Sequence, residues 1–187
     1  AFDPQPAIHI HDQWGNLVDT GAGSTLVVNA IENTGNAELK GTLTATAIEG
    51  IATFSDLFYE LAESEVSLEF SAAGVTDIVS DPFTVVHNIP DYLVIEMADP
   101  DALPDDGRYN FVAGIPQDIK ITAYDIYGNL ANRFSGDRDL TFSGANPSPN
   151  PGTEPRVNGI LFPNETTLNF VDGAVTAELT LYNEEEV

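Results

Sequence analysis

Cysteine is absent from the 187 residues, cationic side chains number only six, and methionine and tryptophan occur once each. Without cysteine there is no disulfide framework, no thiolate metal site and no cysteine nucleophile. The six Lys plus Arg stand against 30 Asp plus Glu, a net charge of −24 at pH 7. Such a chain repels phosphate backbones and anionic headgroups, so nucleic-acid binding and membrane docking through a basic patch are excluded, and cations become its natural partners. No run approaches the roughly 18 apolar residues of a membrane-spanning helix. The opening Ala1-Phe2-Asp3-Pro4-Gln5-Pro6 has neither the basic nor the apolar stretch of a signal peptide. The chain reads as soluble, with no direct membrane insertion expected.

What is present suffices to fold. Hydrophobic residues make up 42% and charged residues only 19%, which separates the chain from disordered acidic tails. The length fits one or two domains of about 100–150 residues. Apolar residues recur with period two: Ile8/Ile10, Leu26/Val28, Leu43/Ala45/Ala47, Val66/Leu68/Phe70, Ile119/Ile121/Ala123, Leu168/Phe170 and Leu179/Leu181. This alternation marks half-buried strands. Turn residues such as Gly15-Asn16, Gly35-Asn36, Gly50, Gly74, Gly128-Asn129 and Gly173 separate them. The expected class is all-β; Asp56 to Ser64, the one stretch passable as a helix, reads equally well as strand and loop.

An internal repeat organises the chain. Ile8-His9-Ile10-His11-Asp12-Gln13-Trp14-Gly15-Asn16-Leu17 aligns with Ile121-Thr122-Ala123-Tyr124-Asp125-Ile126-Tyr127-Gly128-Asn129-Leu130, with five identities in ten positions at an offset of 113. Glu49-Gly50-Ile51-Ala52-Thr53 aligns with Asp172-Gly173-Ala174-Val175-Thr176 at an offset of 123. The ten extra residues of the second copy fall within Ser143 to Pro163, whose five prolines make it a surface loop unable to supply a central strand. Val86 to Asp91 is the expected joint, giving domains 1–88 and 89–187; its proline stiffens it toward a rod-like arrangement.

Together these motifs resemble the bacterial immunoglobulin-like repeats strung along invasin- and intimin-type adhesins and other large surface proteins. The residues that carry the resemblance are Asp-x-aromatic-Gly-Asn after a strand, Gly41-Thr42-Leu43-Thr44-Ala45-Thr46-Ala47, Gly50-Ile51-Ala52-Thr53-Phe54 and Ser80-Asp81-Pro82-Phe83-Thr84-Val85. Gly114-Ile115-Pro116 and Phe134-Ser135-Gly136 continue it in copy two. The resemblance implies two tandem immunoglobulin-like β-sandwiches and a secreted or cell-surface location. Its motifs are turn and core positions, so they specify the sandwich more strongly than the role.

The two copies differ in strand content. Copy two opens with Tyr92-Leu93-Val94-Ile95-Glu96-Met97 ahead of its motif, and copy one has no counterpart; copy one continues through Val66 to Phe70 and Phe83 to Val85, and copy two has no counterpart to these. Copy one is therefore expected to lack its first strand and copy two its last strands. A strand burying three or four apolar side chains contributes on the order of 5–10 kcal/mol, comparable with a domain's whole stability. Two sources fit: neighbouring immunoglobulin-like domains of the same chain, or identical subunits joined head to tail by strand addition.

Candidate sites follow. Asp99, Asp101, Asp105, Asp106 and Asn110 crowd one segment whose oxygens suit calcium, although the spacing is not that of an EF-hand and the same residues also make turns. If cations bind there, stripping them loosens the joint more than it unfolds either sandwich. Asp12, Gly15 and Asn16, with Asp125, Gly128 and Asn129, are turn-capping sets. His9 and His11 point to one face of a strand, opposite Ile8 and Ile10, with no third ligand nearby in sequence. Asp137 and Asp139 alternate with Arg138 and face solvent. No catalytic triad, phosphate loop or zinc-protease motif occurs. The expected function is a non-enzymatic structural or adhesive module, a spacer or a fibre subunit, calcium being its one expected cofactor. The alternative is an accessory carbohydrate-binding module of a secreted hydrolase, which an exposed aromatic row on one sheet would favour.

Overall fold

A computed structural model describes residues 1–99 and 111–183. The chain is all-β, its sheets antiparallel as in immunoglobulin-like sandwiches, and it divides into two compact units, Ala1–Val86 and His87–Val187.

In unit 1, β1 (Ala7–His9) pairs, among the described residues, only with β4 (Ile51–Thr53). The facing sheet runs β3 (Thr44–Thr46), β2 (Val27–Thr34), β5 (Ser67–Ala72), β6 (Ile78–Val79), in that order. A 3-10 turn, Ala22–Thr25, which no periodicity announces, precedes β2. Alternate side chains of both sheets meet in a core built around Ile10, Val28, Ala52, Phe54, Leu68 and Phe70. Asp56 to Ser64 forms no helix; its backbone is fixed by reciprocal bonds between Lys40 and Phe58, both 2.9 Å. Phe83 to Val85 forms only an isolated bridge, Val66 to Phe83, where the alternation suggested a strand.

In unit 2, β7 (Pro90–Met97) pairs with β8 (Gln117–Asp125), and β8 with β13 (Ala174–Thr180). β10 (Arg156–Val157) and β11 (Ile160–Leu161) extend that sheet beyond β13. β9 (Gly136–Thr141) and β12 (Glu165–Phe170) form the second sheet. The core gathers Ile119, Ile121, Val157, Leu168, Phe170 and Ala177.

The expectation of a bare surface loop over Ser143 to Pro163 is corrected here. β10 lies between β11 and β13, and Val157 is fully buried. The prolines stop short of the hairpin or flank it, so they block no ladder bond within it. Asn158 and Gly159 form its two-residue turn with φ of 49° and 77°, the geometry of a type I′ hairpin. That dipeptide was the available signal.

The repeat persists in the ladder register. His9 faces Ile51 and Ile8 faces Ala52, just as Thr122 faces Ala174 and Ile121 faces Val175. Ile10 N–H donates to Gly50 O at 2.9 Å and Ala123 N–H to Gly173 O at 2.8 Å. Gly50 and Gly173 both have φ +82°, and a Cβ there would lie 2.4 Å from Val18 O or 2.7 Å from Ala131 O. Only glycine satisfies both conditions.

Candidate functional site: two unpartnered sheet edges

The Asp-x-aromatic-Gly-Asn turns are nearly superimposable in their bonding. Asp12 Oδ1 accepts from the N–H groups of Trp14 and Asn16, each at 2.9 Å, and Asp125 Oδ1 from those of Tyr127 and Asn129, each at 2.9 Å. The second carboxylate oxygens accept from Asn16 Nδ2 at 3.1 Å and Asn129 Nδ2 at 2.9 Å. Gly15 and Gly128 take φ of +86° and +82° at the tips. The environments then diverge. Asp125 is fully buried and Oδ2 also accepts from Asn88 N–H at 2.8 Å, whereas Asp12 is half-buried without that fourth donor. Burial pushes the Asp125 carboxyl up, but the bonds from the Asn129 side chain and from the Asn88, Asn129 and Tyr127 amides outweigh it, and the carboxyl titrates below its ordinary range. The Asn16 side chain and amide hold Asp12 low in the same direction.

The difference comes from β7. In unit 2 the first strand runs beside β8, and its approach brings Asn88 onto the turn. In unit 1 the corresponding edge of β1 has no partner strand among the described residues. Ladder bonds alternate in direction along a strand, so with Ile10 N–H committed to Gly50, the N–H and C=O groups of Ala7, His9 and His11 face the open side. Their equivalents Lys120, Thr122 and Tyr124 face Glu96, Val94 and Tyr92. Exposure follows: Thr122 and Ile121 are buried, while His9 is exposed and Ile8 half-buried. Between the β1 edge and β5–β6 lies a groove of about 720 Å³ with Ile8, Ile10, Val28, Phe70, Ala72 and Ile78 among its walls.

Unit 2 has the reciprocal opening. β9 pairs only with β12 among the described residues, whereas its counterpart β2 lies between β3 and β5. Leu168 faces Arg138 as Ala45 faces Val28, so Arg138 occupies the inward position that Val28 holds in unit 1. Val28 is buried; Arg138 is half-buried, its guanidinium 4.7 Å from the centre of the Phe134 ring. An inward-pointing charge of this kind blunts an exposed edge. Asp137 and Asp139 do face outward, accepting from Asn169 Nδ2 and Thr167 Oγ1, each at 2.6 Å. A groove of about 600 Å³, lined by Ile95, Met97, Phe111, Phe142 and Phe162 among others, opens in this unit.

The remaining candidates are less assembled. Of the calcium set, Asp99 is exposed, and Asp101, Asp105, Asp106 and Asn110 lie outside the described residues. Among the described residues no group of three or more His, Asp or Glu is placed to hold a metal ion. His9 and His11 lie side by side, ring centres 6.2 Å apart, both exposed. His87 Nε2 accepts from Arg133 N–H at 3.1 Å while Nδ1 faces Asn88 O, an arrangement that requires the Nδ1–H tautomer. No helix among the described residues is long and apolar enough to cross a membrane. No family model, curated protein or solved structure matches the chain.

Proposed function

We propose that the chain is a non-enzymatic structural or adhesive module of a secreted or cell-surface protein, acting as a spacer or fibre subunit that joins other immunoglobulin-like units by strand addition. The observation that carries this reading is the reciprocal pair of vacancies. Among the described residues, unit 1 has β5–β6 and no strand on the free side of β1, and unit 2 has β7 and no strand on the free side of β9. Open sheet edges are templates for strand pairing, and the edge of β1 has a groove beside it that a strand could enter. The resemblance of the turn and core motifs to bacterial immunoglobulin-like repeats supports the surface location, and the net charge of −24 suits a repulsive coat on long arrays.

Sedimentation velocity on the full chain from micromolar to millimolar concentration tests the proposal. Concentration-dependent oligomers are expected for a fibre subunit. A well-folded monomer throughout would eliminate obligatory strand donation and leave the spacer form alone. Cations enter through the acidic segment around Asp99: calcium is expected to raise the thermal midpoint, and an unchanged midpoint with no heat of binding removes calcium from the reading.

One observation favours the carbohydrate-binding alternative. Tyr92 and Tyr124 stack with ring centres 5.7 Å apart, and Tyr92 is exposed. Oligosaccharide titration that quenches tyrosine fluorescence, and fails to do so in Tyr92→Ala, would move the assignment there.

A further inference from the structure

We infer that the open edge of β1 takes an antiparallel strand of β7 type supplied by another immunoglobulin-like unit, in a register that unit 2 specifies. The inference rests on the strand-addition reading and deepens it, naming the edge, the polarity and the chemistry of the occupant. Its warrant is internal. β1 and β8 are copies of one motif, pair with copies of one partner strand in one register, and carry the same turn at their ends. On β8 the open-side positions are occupied, with Glu96 facing Lys120, Val94 facing Thr122 and Tyr92 facing Tyr124. On β1 the same positions are Ala7, His9 and His11, unpaired on that side among the described residues.

The occupant is thus an extended segment whose two faces differ. Residues in the places of Leu93, Ile95 and Met97 face the same way as Ile121 and enter the groove over Phe70, Ala72 and Ile78. Residues in the places of Tyr92, Val94 and Glu96 lie on the outer face, with the aromatic one against His11, where Tyr124 carries its stacked partner in unit 2. Proline is excluded opposite His9, because that position must both give and receive a main-chain bond. The groove of about 720 Å³ is open along β1, so entry requires no rearrangement of the β1–β4 ladder.

The test adds a synthetic peptide with the sequence of residues 89–98 to the full chain and follows amide hydrogen exchange and peptide–protein cross-strand nuclear Overhauser effects. The expected result is slowed exchange at Ala7, His9 and His11 by at least about tenfold at saturating peptide, unchanged exchange in β8, and contacts from peptide Tyr92 to His11 and from peptide Val94 to His9. A peptide carrying Val94→Pro should not bind, and one carrying Tyr92→Ala should bind about 2- to 10-fold more weakly. These variants leave the protein's own folding untouched. No protection at millimolar peptide, protection confined to β9, or contacts in a parallel register would each overturn the assignment. Self-association that persists while the peptide leaves β1 unprotected would overturn this register and spare the proposed function.

Discussion

The two units carry the same turn, the same glycine corner and the same central ladder, yet they solve burial differently. In unit 2 the Asp125 side chain is fully buried and bonded by the Asn88 amide, Thr122 and Ile121 are covered, and the weak place is the half-exposed inward face of β9. In unit 1 β2 is well covered, with Val28 and Ala30 buried, and the weak place is β1. One motif therefore has two energetic contexts, set by which strand lies beside it. The comparison teaches that the local turn is specified by its own five residues, whereas its contribution to stability is set by the strand paired alongside it.

That contrast can be broken at several points. The largest effects are expected at the glycine corners. Gly50→Ala and Gly173→Ala each combine a strained φ with a Cβ driven into a carbonyl oxygen, and should each cost about 3–5 kcal/mol by chemical denaturation; equal and negligible losses would mean that the corner is not what fixes the ladder. Next come the turn carboxylates. Asp125→Ala strands four main-chain or side-chain donors in a buried site and should cost about 3 kcal/mol, while Asp12→Ala should cost far less because water can reach its turn. A reversed order would contradict the assignment of β7 as the cover.

Acid sharpens the same pair. Asp125 and Asp12 both have folded pKa values below their unfolded ones. Each therefore contributes stability that is complete above the unfolded value, about 3.9, and is lost as pH falls toward the lower folded value. Asp125→Asn should remove more of the acid-dependent destabilisation than Asp12→Asn, as read from urea unfolding curves between pH 5 and pH 2. A smaller effect is expected at the β9 edge. Arg138→Val installs the residue type of Val28 and takes away the inward charge, so the variant should self-associate at lower concentration in sedimentation velocity; unchanged association would show that Arg138 does not guard that edge.

Much of this was legible in the sequence because it is written in local periods. The alternation at Ile119/Ile121/Ala123 and Leu168/Phe170 marks strands, and the 113- and 123-residue offsets carry through to the ladder register. The added hairpin was hidden by the prolines around it, although Asn158-Gly159 announced its turn. The inward placement of Arg138 was illegible, because Asp137-Arg138-Asp139 reads as solvated charge until the ladder to β12 fixes which of the three faces the core. The strand imbalance between copies could be counted from sequence. That the β1 edge lies beside a groove could not, since a groove depends on both sheets at once.

The central claim is that β1 has an open edge where β8 has a covered one, and native-state amide hydrogen exchange tests it most directly. In the full chain, the amides of Ala7, His9 and His11 should exchange at least about 100-fold faster, relative to their intrinsic rates, than those of Lys120, Thr122 and Tyr124. Equal protection of the two sets would contradict the account.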